Sequence, residues 1–275
     1  MQKGKTEALF AIRKGNGQMI DTHVHYTHKR FDNGRDEIVK GLRGKKIEAV
    51  IEPAISFESN RIFIEYAKKI RPFYDTFYLA VGIHPKCVGE PDLGRLHQLK
   101  DFALEDGVVA IGETGLDYHQ EEYNADFQKW WFCRQMELAG ELKLPLIIHS
   151  RLADEDTVEL MRTYKDFLRG GVIHCFSGNI RQAMAYIEMG FYLGIGGMIT
   201  YGREELNNAV KQVPLSKIVL ETDCPFLTPF PAKSDSRNDS SYLPMIVRKI
   251  AEIKETFTEE IEQVTTENAK KLFRI

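Results

Sequence analysis

The chain has 275 residues, a formal net charge of −3 at pH 7, 43% hydrophobic and 28% charged residues; that length buries a substantial core, and that composition excludes a disordered or low-complexity protein. The charge excludes a protein that coats nucleic acid through a broad basic surface, while leaving room for an enzyme that grips one phosphodiester locally. No apolar run reaches the roughly 20 residues of a membrane-spanning helix, and four cysteines without a CxxC pair give neither a zinc ribbon nor a disulfide framework, so a cytoplasmic protein with no membrane association is expected.

Residues 1–18 carry no convincing helix or strand period and read as an N-terminal extension, from a tag or an upstream start, ahead of one domain over 19–275. Short apolar, β-branched runs follow at 19–23, 47–53, 76–82, 108–112, 144–149, 171–175, 191–195 and 217–222, and each reads as a strand. Helical spacing fills most of the intervals, at 59–70, 126–142, 153–168 and 179–190. Ser59 is the expected cap of the first of these and Asp154 or Asp156 of the third, while Gly170 and Gly190 follow the last helical residues. Trp130, Trp131 and Phe132 read as core on a barrel-covering helix rather than as base-stacking rings. A closing helix is expected over 242–256, with Pro244 in its first turn, after a polar loop at 231–241 that reads as the most flexible segment. Strand followed by helix, repeated eight times in about 250 residues, fits one α/β domain folded as a (β/α)8 TIM barrel better than a doubly wound sheet.

In such a barrel the chemistry gathers at the C-terminal ends of the strands, and here those ends carry side chains that can share a task. The first supplies His23 and His25, the fourth Glu113, the fifth His149, the sixth His174 and the eighth Asp223. Residues two apart on a strand share a face, so both imidazoles of the His-x-His can address one cation. Alone, such a pair is more often structural; four further candidates at matching strand ends favour metal. The set suits zinc, manganese, iron or nickel ahead of magnesium, and it exceeds the three protein ligands of one catalytic zinc. Two divalent ions are therefore expected, one on His23, His25 and Asp223, the other on His149 and His174, with Glu113 bridging.

The ordered segments DTHVH, GIHP, GETGLDY, LPLIIHSR, HCFSG and ETDCPFLTP resemble the TatD family of metal-dependent hydrolases, from about Met19 to the C-terminus. The resemblance implies an amidohydrolase-like barrel and a deoxyribonuclease that cleaves DNA phosphodiester bonds with a two-metal-activated water. It supports the roles given to the six side chains. Family members commonly carry Arg-Asn-Glu-Pro after the eighth strand; this chain keeps Arg237 and Asn238 but has its proline at Pro244, which puts loop shape or substrate contacts there in doubt.

Asp223, at a metal and beside the water, is the expected general base, and Arg151 an expected phosphate contact, with a rim salt bridge to Asp154 or Glu155 as its plain alternative. His84 is expected to touch substrate or to hydrogen-bond a ligand; Asp117 and Tyr118 to orient ligands or line the pocket. Asp21 reads as a buried hydrogen-bond partner, Cys175 and Cys224 as packing residues turned away from the mouth, and His28, His97 and His119 as solvated. The modest charge points to short DNA fragments or single-stranded ends as substrate. The alternative on the same metals is hydrolysis of an amide, ester or lactone, against which stands Glu113 where two-metal amidohydrolases often carry a carboxylated lysine.

Overall fold

The computed structural model describes residues 17–119, 122–232 and 237–275. Eight parallel strands lie side by side in chain order: β1 (Met19–Asp21), β2 (Ile47–Pro53), β3 (Phe77–Val81), β4 (Val108–Asp117), β5 (Leu146–Arg151), β6 (Gly171–Ile173), β7 (Tyr192–Ile195) and β8 (Ile218–Leu220). The ring closes between β8 and β1, where Thr22 N donates to Leu220 O at 2.9 Å and Val24 bridges to Cys224. This is the expected (β/α)8 barrel.

Parallel neighbours need a crossover, and helices supply it. Between successive strands lie α1 (Arg35–Lys40), α2 (Phe57–Ile70), α3 (Leu93–Ala103), α4 (Ala125–Leu142), α5 (Asp154–Thr163), α6 (Ile180–Glu188) and α7 (Glu204–Gln212), and α8 (Leu243–Lys254) and α9 (Thr258–Phe273) follow β8. Alternation along each strand then divides two cores. Val50, Leu79, Leu146, Ile148 and Ile173 pack outward with helix residues such as Ile64, Phe132 and Met136. Ile51, Ala80, Ile147, Val172 and Val219 face inward and are joined by Leu272 and Phe273 of α9. Each fully buried side chain of this size contributes about 1.5–3 kcal/mol relative to exposure. Beneath the barrel, Asn268 Nδ2 donates to Leu215 O at 3.0 Å and Ile218 O at 2.8 Å, and Thr266 Oγ1 donates to Gln18 O at 2.8 Å, so α9 anchors the N-terminal ends of β8 and β1.

Several boundaries differ from expectation. Ser56, not Ser59, caps α2: its hydroxyl accepts from Ser59 N, while Ser59 Oγ accepts from Ser56 N, a reciprocal capping box. Asp154 and Asp156 lie in the first turn of α5 rather than at its cap, which is Ala153. β1, β6 and β8 stop earlier than expected, and β4 runs five residues further, to Asp117. Trp131 and Phe132 are buried as expected, with Trp131 Nε1 donating to Gly89 O at 3.0 Å. The expected N-terminal extension lies outside the described residues except for Gly17 and Gln18, as do 233–236 of the polar loop. The rest of that loop is held rather than loose: Arg237 Nη1 donates to Arg30 O and Asn33 O, and buried Asn238 Nδ2 donates to Thr222 O at 2.9 Å and Phe226 O at 2.5 Å.

Candidate metal centre

His23 and His25 lie just past β1, and their shared direction comes from pairing rather than from membership of a strand. Asp21 Oδ1 accepts from Thr222 N at 2.9 Å, and its Oδ2 accepts from Thr222 Oγ1 and Ser240 Oγ at 2.7 Å each. This locks the end of β1 to the segment after β8, where Asp223 N donates to His23 O and His25 N to Cys224 O. Asp21 is thus a buried hydrogen-bond partner, as expected, and burial pushes its carboxyl up to about 7. The result is a tight cluster. His23 Nε2 and His25 Nε2 sit 3.1 Å apart, and Asp223 Oδ1 is 3.3 Å from the second and 3.9 Å from the first.

Glu113, buried within β4 rather than at its end, faces this cluster with one oxygen and the opposite wall with the other. Its Oε2 lies 3.5 Å from His23 Nε2; its Oε1 lies 3.0 Å from His149 Nδ1 and 3.4 Å from His174 Nε2 and from His84 Nε2. β4 can press this closely on β5 because residue 115 is glycine: its φ is 134° and a Cβ there would overlap His149 O. Burial opposes the charge on Glu113, yet the imidazoles of His84 and His174 hold its carboxyl well below the usual range. Burial likewise opposes the charge on His174, but Glu221 and Glu113 push it up to about 10. Against the same burial, contact with His25 keeps Asp223 below its ordinary value.

These donors suit divalent cations. Ligating atoms of His23, His25 and Glu113 lie within 4.8 Å of one another, as do those of His23, His174 and Asp223 and those of Glu113, His149 and His174. Two imidazole nitrogens 3.1 Å apart can share one proton as an N–H···N hydrogen bond, and with both lone pairs free they are good ligands for one cation. The far sides of two rings are also controlled. His149 stands between two carboxylates, with Nε2 2.9 Å from Asp117 Oδ2, itself 3.2 Å from Lys86 Nζ, and Nδ1 on the Glu113 side; with a proton shared between Nε2 and Asp117, Nδ1 is the atom free to take a cation. His174 Nδ1 is 3.3 Å from Glu221 Oε1, which accepts from Cys175 N at 2.6 Å.

Glu221 was not among the residues singled out from sequence, although its place two residues before Asp223, closing an apolar run, was a usable signal. Glu221→Gln retains the size and the acceptor for Cys175 N but loses the charge behind His174. It is expected to weaken metal affinity by about 10- to 100-fold, read by chelator competition, with the unfolding midpoint of the metal-free protein as the control for folding.

Three helical amides position the same loops. Asn60 clamps both peptide groups of Gly82, with Nδ2 to the carbonyl at 2.9 Å and Oδ1 from the N–H at 3.1 Å. Gln135 does the same for Ile83, next to His84, and Gln128 for Asp117. Each replaces ladder bonds that the strand ends lack. Strain gathers on this rim as well: Leu152, Cys175 and Asp223 all have φ between 48° and 54°, a left-handed conformation that concentrates at functional sites. Cys175 is therefore not turned away by strand alternation, since β6 ends at Ile173 and the cysteine occupies a strained, half-buried turn; Cys224 is fully buried.

The remaining candidates occupy the rim. His84 is edge-on to His149 with centroids 4.4 Å apart, and its Nδ1 accepts from Lys86 N. Tyr118 stacks on Tyr123 at 4.8 Å and donates its hydroxyl to Asp156 Oδ2 at 2.7 Å. Arg151 ends β5, exposed, and forms no ion pair with Asp154, Glu155 or any other described residue. His97 and His119 are exposed, whereas His28 is half-buried and packs edge-on against Phe226.

The model of a protein family described as TatD related DNase matches residues 20–274. The Bacillus subtilis (strain 168) metal-dependent hydrolase YabD is 38% identical over 258 residues, covering 94% of this chain and 99% of its own. The 3'-5' ssDNA/RNA exonuclease TatD of Cronobacter sakazakii is 31% identical, covering 93% of this chain and 97% of its own. The crystal structure of YjjV, a TatD homolog from Escherichia coli K12, superposes with a TM-score of 0.85 at 27% identity, covering 94% of this chain and 98% of that one.

Proposed function

From the chain's membership of the TatD-related DNase family, and hence of the metal-dependent hydrolases, we propose that it cleaves phosphodiester bonds in DNA, taking short fragments or single-stranded ends as substrate. The exonuclease named for the Cronobacter relative supports nucleic acid as the substrate class. The observation that carries the reading is Glu113, whose two oxygens are divided between His23 on one side and His149 and His174 on the other. A carboxylate in that position can bridge two cations.

His23, His25 and Asp223 would hold one ion and His149 and His174 the other, with zinc, manganese, iron, nickel or magnesium as the candidates. Bound there, paired divalent cations acidify water and stabilise charge on the attacking and leaving oxygens of an in-line displacement. The chain's own residues do the rest. Asp223, part-exposed at the mouth and kept ionised by His25, orients the attacking water and takes its proton at a carboxylate oxygen. Arg151, which pairs with no carboxylate among the described residues, offers its guanidinium to a phosphate. His84 and Tyr118 border the position of the substrate.

The reading is tested with chelator-stripped protein reloaded separately with manganese, magnesium or zinc. It is given single-stranded DNA, a generic phosphodiester, and a panel of amides, esters and lactones. Metal-dependent loss of DNA is expected. Turnover of amides, esters or lactones alone, with DNA untouched, would transfer the activity to the other reaction class.

A further inference from the structure

The turns after β7 and β8, the second of which also carries Asp223, form an open cavity of about 590 Å³ lined by Thr200, Tyr201, Gly202, Leu227, Thr228, Phe230 and Ala232, a volume within the range of small-molecule sites. Its walls are built in advance. Phe230 N donates to Thr200 Oγ1 at 2.9 Å, Thr200 Oγ1 donates to Gly197 O at 2.6 Å, and Tyr201 Oη donates to Thr228 O at 3.0 Å. A Cβ at Gly197 would overlap Leu227 O, so glycine allows the two turns to meet backbone to backbone.

Two rings bordering this cavity are open to solvent: Phe230 is 67% exposed and Tyr201 41%. Apolar side chains exposed singly are ordinary, but two aromatic rings gathered at the edge of one cavity offer a contact surface. One turn of the chain links the lining of this cavity to the metal centre. Phe226, 41% exposed and next to Leu227, packs edge-on against His25 with centroids 6.4 Å apart. Cationic side chains stand nearby: Arg203 is close enough to act electrostatically on Tyr201 and Cys175, and Arg30 Nη1 donates to Pro225 O at 3.3 Å. None of the described residues lining the cavity is acidic.

We propose that this cavity is a nucleobase subsite, in which Phe230 and Tyr201 stack on a base of the strand whose phosphate lies at the metal centre. It rests on the phosphodiesterase reading and deepens it. A nucleic-acid strand offers a flat apolar face and an anionic phosphate in each unit, and here exposed rings adjoin a cationic rim in the same order. Recognition by stacking tolerates every base, so the subsite selects for the presence of a base and for an unpaired strand, because a paired base has its faces covered.

The test compares metal-loaded protein on oligothymidylate and on an equally long strand of abasic residues. The protein is expected to cleave oligothymidylate with a kcat/KM about tenfold or more above that for the abasic strand, the range given by loss of one stacked base. Phe230→Ala is expected to remove most of that preference by slowing oligothymidylate alone. Phe257→Ala, exposed on a turn at another part of the surface, is expected to leave the preference intact, and unfolding midpoints establish that both variants fold. Equal cleavage of both strands by the unaltered protein would overturn the subsite while leaving the phosphodiesterase reading standing. So would a Phe230→Ala variant slowed equally on both. Absence of cleavage of either strand by protein with bound metal would overturn both.

Discussion

Asp223→Asn is expected to lower kcat on single-stranded DNA by about two to four orders of magnitude, the usual contribution of a positioned general base, while the protein remains folded. The amide has nearly the shape of the carboxylate but cannot accept a proton. Its backbone position is also favourable for the exchange. Residue 223 has φ of 53°, a left-handed conformation that asparagine tolerates along with aspartate, and its N–H still donates to His23 O. The variant therefore separates chemistry from folding. Stopped assays on metal-loaded protein, beside thermal unfolding, give the measurement; full activity in Asp223→Asn would remove this carboxylate from the proton transfer.

Glu113→Gln is expected to have the broadest effect, reaching metal content, stability and turnover together. Glu113 is buried among His23, His84, His149 and His174, and the amide leaves those rings without their shared counter-charge. Removing one partner of a buried ion pair costs about 3–5 kcal/mol, a loss to be read by denaturant unfolding of the chelator-stripped protein. With no carboxylate between the two walls, the variant should bind fewer ions per chain than the unaltered protein, and hydrolysis should fall at least as far as in Asp223→Asn. Undiminished metal content would mean that Glu113 does not join two sites.

The barrel was legible because its strands are short apolar runs separated by capped helices, and because the six polar side chains stand where those runs end. What was hidden depends on contacts between distant segments. Glu113 lies inside β4 because the glycines of GETG, which resemble a turn, serve close approach to β5, Gly112 at Ile147 and Gly115 at His149. His23 and His25 lie past the end of β1, and their alignment comes from bonds to 223 and 224 across the closing seam. Asn60, Gln128 and Gln135 have the appearance of ordinary polar helix residues, and only the folded chain reveals that each holds the peptide group of a site loop. Glu221 belongs with them: its carboxylate matters for what it faces, His174, some 47 residues earlier in the chain.

Local rules also met real competition. Ser59 carries the right chemistry for a helix cap, but Ser56 occupies the cap and Ser59 answers it from the third helical position. Strand alternation was a sound guide to His149 within β5, and it failed for Cys175 because β6 ends two residues earlier and the chain turns through a left-handed conformation.

The most direct measurement is elemental analysis of chelator-stripped and reloaded protein, joined to anomalous X-ray diffraction from crystals of the reloaded form. The account predicts two transition ions per chain, bounded by His23, His25, Glu113, His149, His174 and Asp223, with Glu113 in contact with both. Failure to retain any stoichiometric ion, or ions seated away from these six side chains, would contradict it.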